Sequence, residues 1–238
     1  VKVGVVAPVF ARSPAPALSV ARQADEMGLD GVFSYDHLFP IRSPGRPTLA
    51  ALPTLAAMAL RTERVRLGTL VSRVTLLPLS VLVAALATLD DISGGRVIAG
   101  IGTGDALTRL ENDAYGLAFP PLHKRLALLA DAARALRARG VTTWIGGRSS
   151  PVRAIAAAEA DGWNSWDGPL DELGAFAADN RGRAYATWGG PPPSDGDLAA
   201  HLRRVADAGV AWAVYGPPPS VHWDSFISKL AGAAKAVR

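Results

Sequence analysis

Residues 94–105 read Gly94-Gly95-Arg96-Val97-Ile98-Ala99-Gly100-Ile101-Gly102-Thr103-Gly104-Asp105. A two-glycine break opens an apolar strand pattern, and that strand closes in alternating glycines followed by a carboxylate. Glycines at a strand end let a flat ligand approach the backbone, and the aspartate places one charge at its edge, as a flavin-type cofactor site requires. The run holds only part of a dinucleotide fingerprint, and a tight strand-to-helix turn has the same spelling. Its surroundings have to separate the two.

Working outward, the same unit recurs. Short β-branched runs are predicted at Val3–Ala7, Gly31–Tyr35, Val65–Val71, Arg96–Ile101, Thr142–Ile145, Trp163–Trp166, Ala184–Trp188 and Ala211–Tyr215, each followed by a helical pattern. Leu82, Ala85, Leu86 and Leu89 share one helix face; Leu122, Leu126, Leu129, Ala133 and Leu136 share a second; Trp223, Phe226, Ile227 and Leu230 share a third. Gly28, Gly140 and Gly209 stand where helices stop, Pro16 and Pro151 near first turns, and Ser220 at an N-cap. Eight βα units predict an α/β fold of the compact (β/α)8 TIM barrel type, with a doubly wound sheet as the alternative. A single barrel domain over residues 1–238 is expected, with its largest polar-rimmed pocket at the C-terminal strand ends. The long loops 36–48 and 189–197 both follow strands and overhang that face.

Composition narrows the classes. Of the 238 residues, 49% are hydrophobic, enough for a large core. The longest apolar stretch, Leu76 to Leu89, is broken by Pro78 and Ser80 and falls short of the about 20 residues that span a bilayer. No membrane association is expected. The chain opens on a strand pattern without the zones of a signal peptide, which reads as a cytoplasmic protein. There is no cysteine, and His37, His123, His201 and His222 are scattered, so no metal site is expected. The 25 basic residues outnumber 21 acidic ones without forming a run, which disfavours nucleic acid and suits a small anionic ligand.

With the barrel as frame, strand ends supply the candidate site: Tyr35-Asp36-His37, Leu70-Val71-Ser72-Arg73, Gly102-Thr103-Gly104-Asp105, Gly146-Gly147-Arg148-Ser149-Ser150 and Asn164-Ser165-Trp166. Four phrases then carry a resemblance: Gly28-Leu29-Asp30-Gly31-Val32-Phe33-Ser34-Tyr35-Asp36-His37, Arg64-Val65-Arg66-Leu67-Gly68-Thr69, Ser93-Gly94-Gly95-Arg96 through Gly104, and Ala160-Asp161-Gly162-Trp163-Asn164. In that order they resemble the luciferase-like monooxygenase superfamily. The run Gly102 to Leu107, followed by Tyr115-Gly116 and a helix near Arg125, is similar to its branch of coenzyme F420-dependent oxidoreductases.

The resemblance implies hydride transfer between a deazaflavin and a small organic substrate, with an F420-reducing enzyme or a separate reductase as electron source and a possible homodimer. It also implies a non-prolyl cis peptide at Leu70-Val71 behind the cofactor ring. An FMN-dependent monooxygenase and a non-catalytic cofactor-binding barrel are the alternatives. Two departures stand out. The insertion that larger relatives carry before the fifth strand is missing, since Arg139-Gly140 runs directly into Val141-Thr142, and Phe39-Pro40-Ile41 lacks the tryptophan of the sugar-phosphate-oxidising relatives.

Roles follow from side-chain chemistry. His37 is the first choice for general acid or base, because imidazole titrates near neutrality and Asp36 can set its charge. Asp105 is the second, with helix capping as its structural alternative. Gly146, Gly147, Arg148 and Ser149 are expected to hold phosphate at a helix N-terminus, supported by Arg73 and Thr103. Leu70, Val71, Ser72, Gly102, Gly104, Asn164 and Ser165 complete the expected cofactor cradle, with Tyr35, Trp166 and Trp188 as walls for the ring.

Overall fold

The computed structural model describes residues 1–216 and 222–238, so the expected N-cap Ser220 lies outside the described residues. The elements are β1 (Lys2–Val6), α1 (Ala15–Met27), β2 (Gly31–Ser34), α2 (Ala51–Ala59), β3 (Arg66–Thr69), β4 (Ser72–Arg73), α3 (Leu79–Ser93), β5 (Val97–Gly102), α4 (Ala106–Ala114), α5 (Leu122–Ala138), β6 (Thr142–Gly146), α6 (Ser150–Glu159), β7 (Gly162–Trp166), α7 (Leu170–Asp179), β8 (Tyr185–Gly190), α8 (Leu198–Asp207), β9 (Trp212–Tyr215) and α9 (Trp223–Val237). All strand pairings are parallel, and β3 pairing with β5 closes the sheet into a barrel. This is the expected (β/α)8 architecture, with two local differences.

The run expected as one strand over Val65–Val71 breaks after Thr69 and resumes as β4. The Leu70-Val71 peptide at the break is cis, as the resemblance implied. The Thr69 hydroxyl donates to the Gly100 carbonyl at 2.6 Å, and β4 still pairs with β5 through Ser72 and Arg73. The second difference is α4, a helix inserted between β5 and the long α5.

Period-two alternation sorts each strand into two faces. Outward residues such as Val3, Val5, Leu67, Ala99, Ile145, Trp163 and Ala213 pack under the helices. Inward residues form a separate plug of Val6, Phe33, Leu70, Ile98, Trp144, Trp212 and Val214. Phe33 stacks on Trp144 at 5.2 Å, and Trp212 meets Trp144 edge-on at 5.4 Å. A barrel of this strand number has just enough interior for side chains, and three large rings fit because their strand neighbours are small. A Cβ at Gly4, Gly31 or Gly68 would fall within 2.9 Å of the Phe33 ring.

The N-terminal end of the barrel is closed by polar clamps. Asp25 of α1 accepts the backbone N–H groups of Glu63, Arg64 and Val65, while Arg96 donates to the carbonyls of Ala59, Thr62 and Val65. Asp30 accepts from the Val3 N–H and Asp161 from the Thr143 N–H, each aspartate preceding a strand-opening glycine. Those Asp-Gly phrases, part of the resemblance, therefore lock adjacent strands far from the candidate site. Gly28 ends α1 in the left-handed region at φ 79°, as expected of a helix stop.

Two cavities lie away from the strand ends where the pocket was expected. Cavities of about 610 and 310 Å³ open at the N-terminal end, the first lined by Asp161, Arg183, Tyr185 and Asp207, the second by Lys2, Asp30, Arg66 and Trp212. The chain passes from α5 to β6 in three residues, Arg139 to Val141, as the direct run into Val141-Thr142 implied.

Candidate functional site

At the C-terminal strand ends β2, β4 and α4 converge on one carboxylate. Glu111 of α4 is 1% exposed, and its Oε1 lies 2.6 Å from His37 Nδ1. Its Oε2 accepts the Leu38 backbone N–H at 2.6 Å and Arg73 Nη2 at 2.8 Å. Burial pushes this carboxyl up, but the bonds from His37 and Leu38 and the Arg73 charge outweigh it and hold Glu111 below the usual carboxylate range. An ionised Glu111 accepts the proton on His37 Nδ1, so Nε2 is the ring nitrogen left for other work.

Asp36 belongs to the same cluster and points the other way electrostatically. Ser72 Oγ donates to its Oδ2 at 2.5 Å. Burial nevertheless pushes the Asp36 carboxyl above its usual range, against the lowering pull of Ser72, Arg73 and His37, with Glu111 adding to the rise.

Arg73 is not free to hold an anion. Its Nη1 donates to Thr108 O and Asn112 Oδ1, both at 2.8 Å, its Nη2 to Glu111, and the side chain is 3% exposed. Only its buried Nε lacks a partner. The guanidinium therefore anchors α4 to the barrel.

The expected cradle lies across β4, β5 and β6. Val71 reaches over the strand ends, where a Cβ at Gly102 or Gly146 would fall 2.7 or 2.8 Å from its methyl groups. The Gly102-Thr103-Gly104 turn is held from behind, because Arg125 Nη1 donates to the Thr103 and Gly104 carbonyls at 2.9 and 2.7 Å. Arg125 in turn lies 4.1 Å over the Phe119 ring. Asp105 takes its structural alternative: its Oδ1 accepts the N–H groups of Leu107 and Thr108, and the Thr108 hydroxyl accepts the Asp105 N–H, a complete capping box on α4.

Gly146, Gly147, Arg148 and Ser149 lead into α6. Gly147 sits at φ 133°, and the Trp163 indole donates to its carbonyl at 2.7 Å. Ser149 is the N-cap residue, yet its side chain makes no capping bond, and Arg148 is exposed with no ion pair among the described residues. A turn built only to start a helix would use that serine. Backbone N–H groups at an uncapped N-terminus beside a free guanidinium fit an anionic cofactor tail.

Asn164 and Ser165 serve the barrel. Asn164 Nδ2 donates to Thr187 Oγ1 at 2.9 Å inside it. Ser165 is fully buried on the outward face, its hydroxyl unpartnered beneath the Gly168 turn. Trp188 also faces outward, packed 4.5 Å from His201. Tyr35 and Trp166 do meet at the mouth, 5.6 Å apart.

Three contributors escaped the sequence reading. Glu111 and Asn112 sat in Thr108-Arg109-Leu110-Glu111-Asn112-Asp113, which has the look of a solvated face. Their signal is a polar stripe at Thr108, Glu111 and Asn112, with i, i+3, i+4 spacing, in a helix whose Leu107 and Leu110 are 40% and 55% exposed. Phe10, in the loop after β1, stacks on Tyr35 at 5.8 Å and carried no motif.

Comparison with known proteins gives the chain relatives in sequence and in fold. Over 120 residues, half of this chain, the protein is 39% identical to an F420-dependent glucose-6-phosphate dehydrogenase of Nakamurella multipartita, and over 137 residues 39% identical to one of Kineococcus radiotolerans. The matched segments span 34% and 40% of those relatives. A solved F420-dependent secondary alcohol dehydrogenase in complex with an F420-acetone adduct superposes with a TM-score of 0.81, covering 100% of this chain and 99% of that one at 16% identity, a likeness of fold. The model of the luciferase-like monooxygenase family matches residues 1–140, more than half of the chain and the whole of the His37, Glu111 and Arg73 cluster, and the protein belongs to that family.

Proposed function

We propose that this chain is a coenzyme F420-dependent oxidoreductase of small organic substrates, acting as one barrel domain with His37 as its proton-transfer group. The observation that carries the reading is the anchoring of His37 Nδ1 by an ionised Glu111, itself clamped by Arg73, beside a glycine-lined cradle. The 39% identity of about half of the chain to F420-dependent glucose-6-phosphate dehydrogenases supports the choice of cofactor.

When bound, a deazaflavin supplies a carbon centre that exchanges a hydride with substrate. Val71, Gly102, Thr103 and Gly104 would back its ring, and Gly147, Arg148 and Ser149 would hold its anionic tail. Arg73, Ser72 and Asn164 keep those walls in place. His37 Nε2 takes the substrate hydroxyl proton during oxidation and returns it during reduction, and Glu111 stabilises the imidazolium in between. No helix among the described residues is long and apolar enough to cross a membrane. A cytoplasmic homodimer working with a separate F420-reducing enzyme is the setting we infer.

Titrating the protein with oxidised F420 and with FMN, following fluorescence quenching, tests the cofactor. F420 is expected to bind more tightly, and more weakly as salt rises, because its anionic tail meets Arg148. Tighter FMN binding would favour the monooxygenase reading, and failure of both a non-catalytic barrel.

A further inference from the structure

The floor of the barrel, at the opposite end from His37, gathers charge that the proposed reaction does not use. A Cβ at Gly4 or Gly68 would meet the inward-facing Phe33 ring, so strand alternation turns Lys2 and Arg66, two positions earlier on β1 and β3, inward as well. On β2 between them stands Gly31, the pairing partner of Arg66, which presents no side chain. Above the gap lies the buried Trp212 ring, 3.0 Å from where a Gly31 Cβ would be, with its centre 5.5 Å from Lys2 Nζ. Two cations are thus set on either side of a cleft roofed by an aromatic ring.

Arg64, in the turn before β3, brings a third cation to the same cavity of about 310 Å³. Backbone carbonyls fix both guanidinium groups: Arg66 Nη1 donates to Gly95 O at 2.6 Å and Arg64 Nη2 to Asp25 O, which leaves each with further N–H donors. Among the described residues none of the three cations has a carboxylate partner, although exposed arginines elsewhere, such as Arg22, Arg109 and Arg134, do. Asp30, the one carboxylate lining the cavity, is already engaged, since its Oδ2 accepts the Val3 N–H and the Arg238 guanidinium. Like charges drawn to one surface repel, and a bound anion relieves that repulsion while accepting the spare donors. The volume is at the lower end of that of ligand pockets, so the anion is small.

We propose that the barrel floor binds a compact phosphate-type dianion, free or as a small monoester, between Lys2, Arg64 and Arg66. This site is separate from the F420 tail site at Arg148, and it needs only the fold, so it stands or falls independently of the cofactor reading.

The test titrates the ¹⁵N-labelled full chain, with and without F420, with inorganic phosphate against chloride at constant ionic strength. The backbone amides of Gly31 and Arg66 and the Trp212 indole are expected to shift and to saturate in the millimolar range, whether or not F420 is present. Lys2→Gln should weaken that response by about three- to tenfold, the worth of one charge-assisted contact at an open site. The Lys2 side chain makes no hydrogen bond among the described residues, so this variant keeps the test valid where Arg66→Gln, which also gives up the Gly95 bond, fails to fold. Glycerol 1-phosphate titrated in the same way identifies the source: tighter binding of the ester assigns a monoester ligand, and tighter binding of phosphate the free ion. Shifts that never saturate, that chloride reproduces, that are confined to Gly147 and Ser149, or that keep their affinity in Lys2→Gln overturn the proposal.

Discussion

His37 Nδ1 and Glu111 Oε1 lie 2.6 Å apart although 74 residues separate them in the chain, and the carboxylate is almost completely enclosed. The pair joins the end of β2 to α4, and Arg73 of β4 completes the joint from below. Replacing His37 with alanine should lower turnover by roughly 10²-fold, the common worth of a general acid or base, with cofactor affinity little changed. Rate per folded, F420-loaded molecule is the measurement. Normal turnover there would move proton transfer elsewhere.

Glu111→Ala leaves the Arg73 guanidinium buried without its counter-charge. Breaking such a pair costs about 3–5 kcal/mol. Denaturant unfolding of the variant should show that loss, and Arg73→Met in the same background should recover part of it, because the orphaned charge then goes too.

Asp105→Ala removes two accepted N–H bonds at the start of α4, a cost of about 0.5–2 kcal/mol. Asp105→Ser keeps a capping oxygen while removing the carboxylate. If Asp105 only caps, the serine variant keeps both stability and turnover; a folded serine variant that has lost turnover would assign the carboxylate a part in the reaction.

Arg148→Ala should leave the melting temperature unchanged, because Arg148 is exposed and makes no ion pair among the described residues. F420 affinity should fall by about tenfold or more, the value of a charge-assisted bond to phosphate. A variant that binds F420 as tightly as the parent and with the same salt dependence would remove Arg148 from the tail site.

Asp36 makes a prediction in the pH dimension. A carboxyl whose folded pKa is raised favours the native state below its unfolded value, and that advantage is lost as pH rises through the folded value. Asp36→Asn, which keeps an acceptor for Ser72, should therefore raise stability at neutral pH relative to the parent and close the gap in acid. Thermal melts across pH 4 to 8 measure it.

The barrel was legible because its information is periodic: short apolar runs recur between helical stripes, and Gly28 sits at a helix end. The site was legible only where residues occupy strand ends, as Asp36, His37 and Gly102 to Gly104 do. Position on a strand end does not say where a side chain turns. Arg73 and Ser165 have suitable chemistry, but one guanidinium is absorbed by α4 and one hydroxyl faces the helix layer. Glu111 was missed for the complementary reason, since a carboxylate among polar neighbours on a short helix reads as solvated until the tertiary contact is seen.

Helix α4 buries Thr108, Glu111 and Asn112 and turns Leu107 and Leu110 to solvent. Its grip on the barrel is ionic where helices such as α3 and α9 bury apolar faces, so the two kinds of attachment answer to different variables. Acidification through the lowered Glu111 pKa discharges the joint with Arg73 while the aromatic plug keeps its packing. Amide exchange in α4 should accelerate in acid before that of β5 or β6, and His37 would lose its anchor in the same event, so that one protonation loosens the helix and frees the imidazole together.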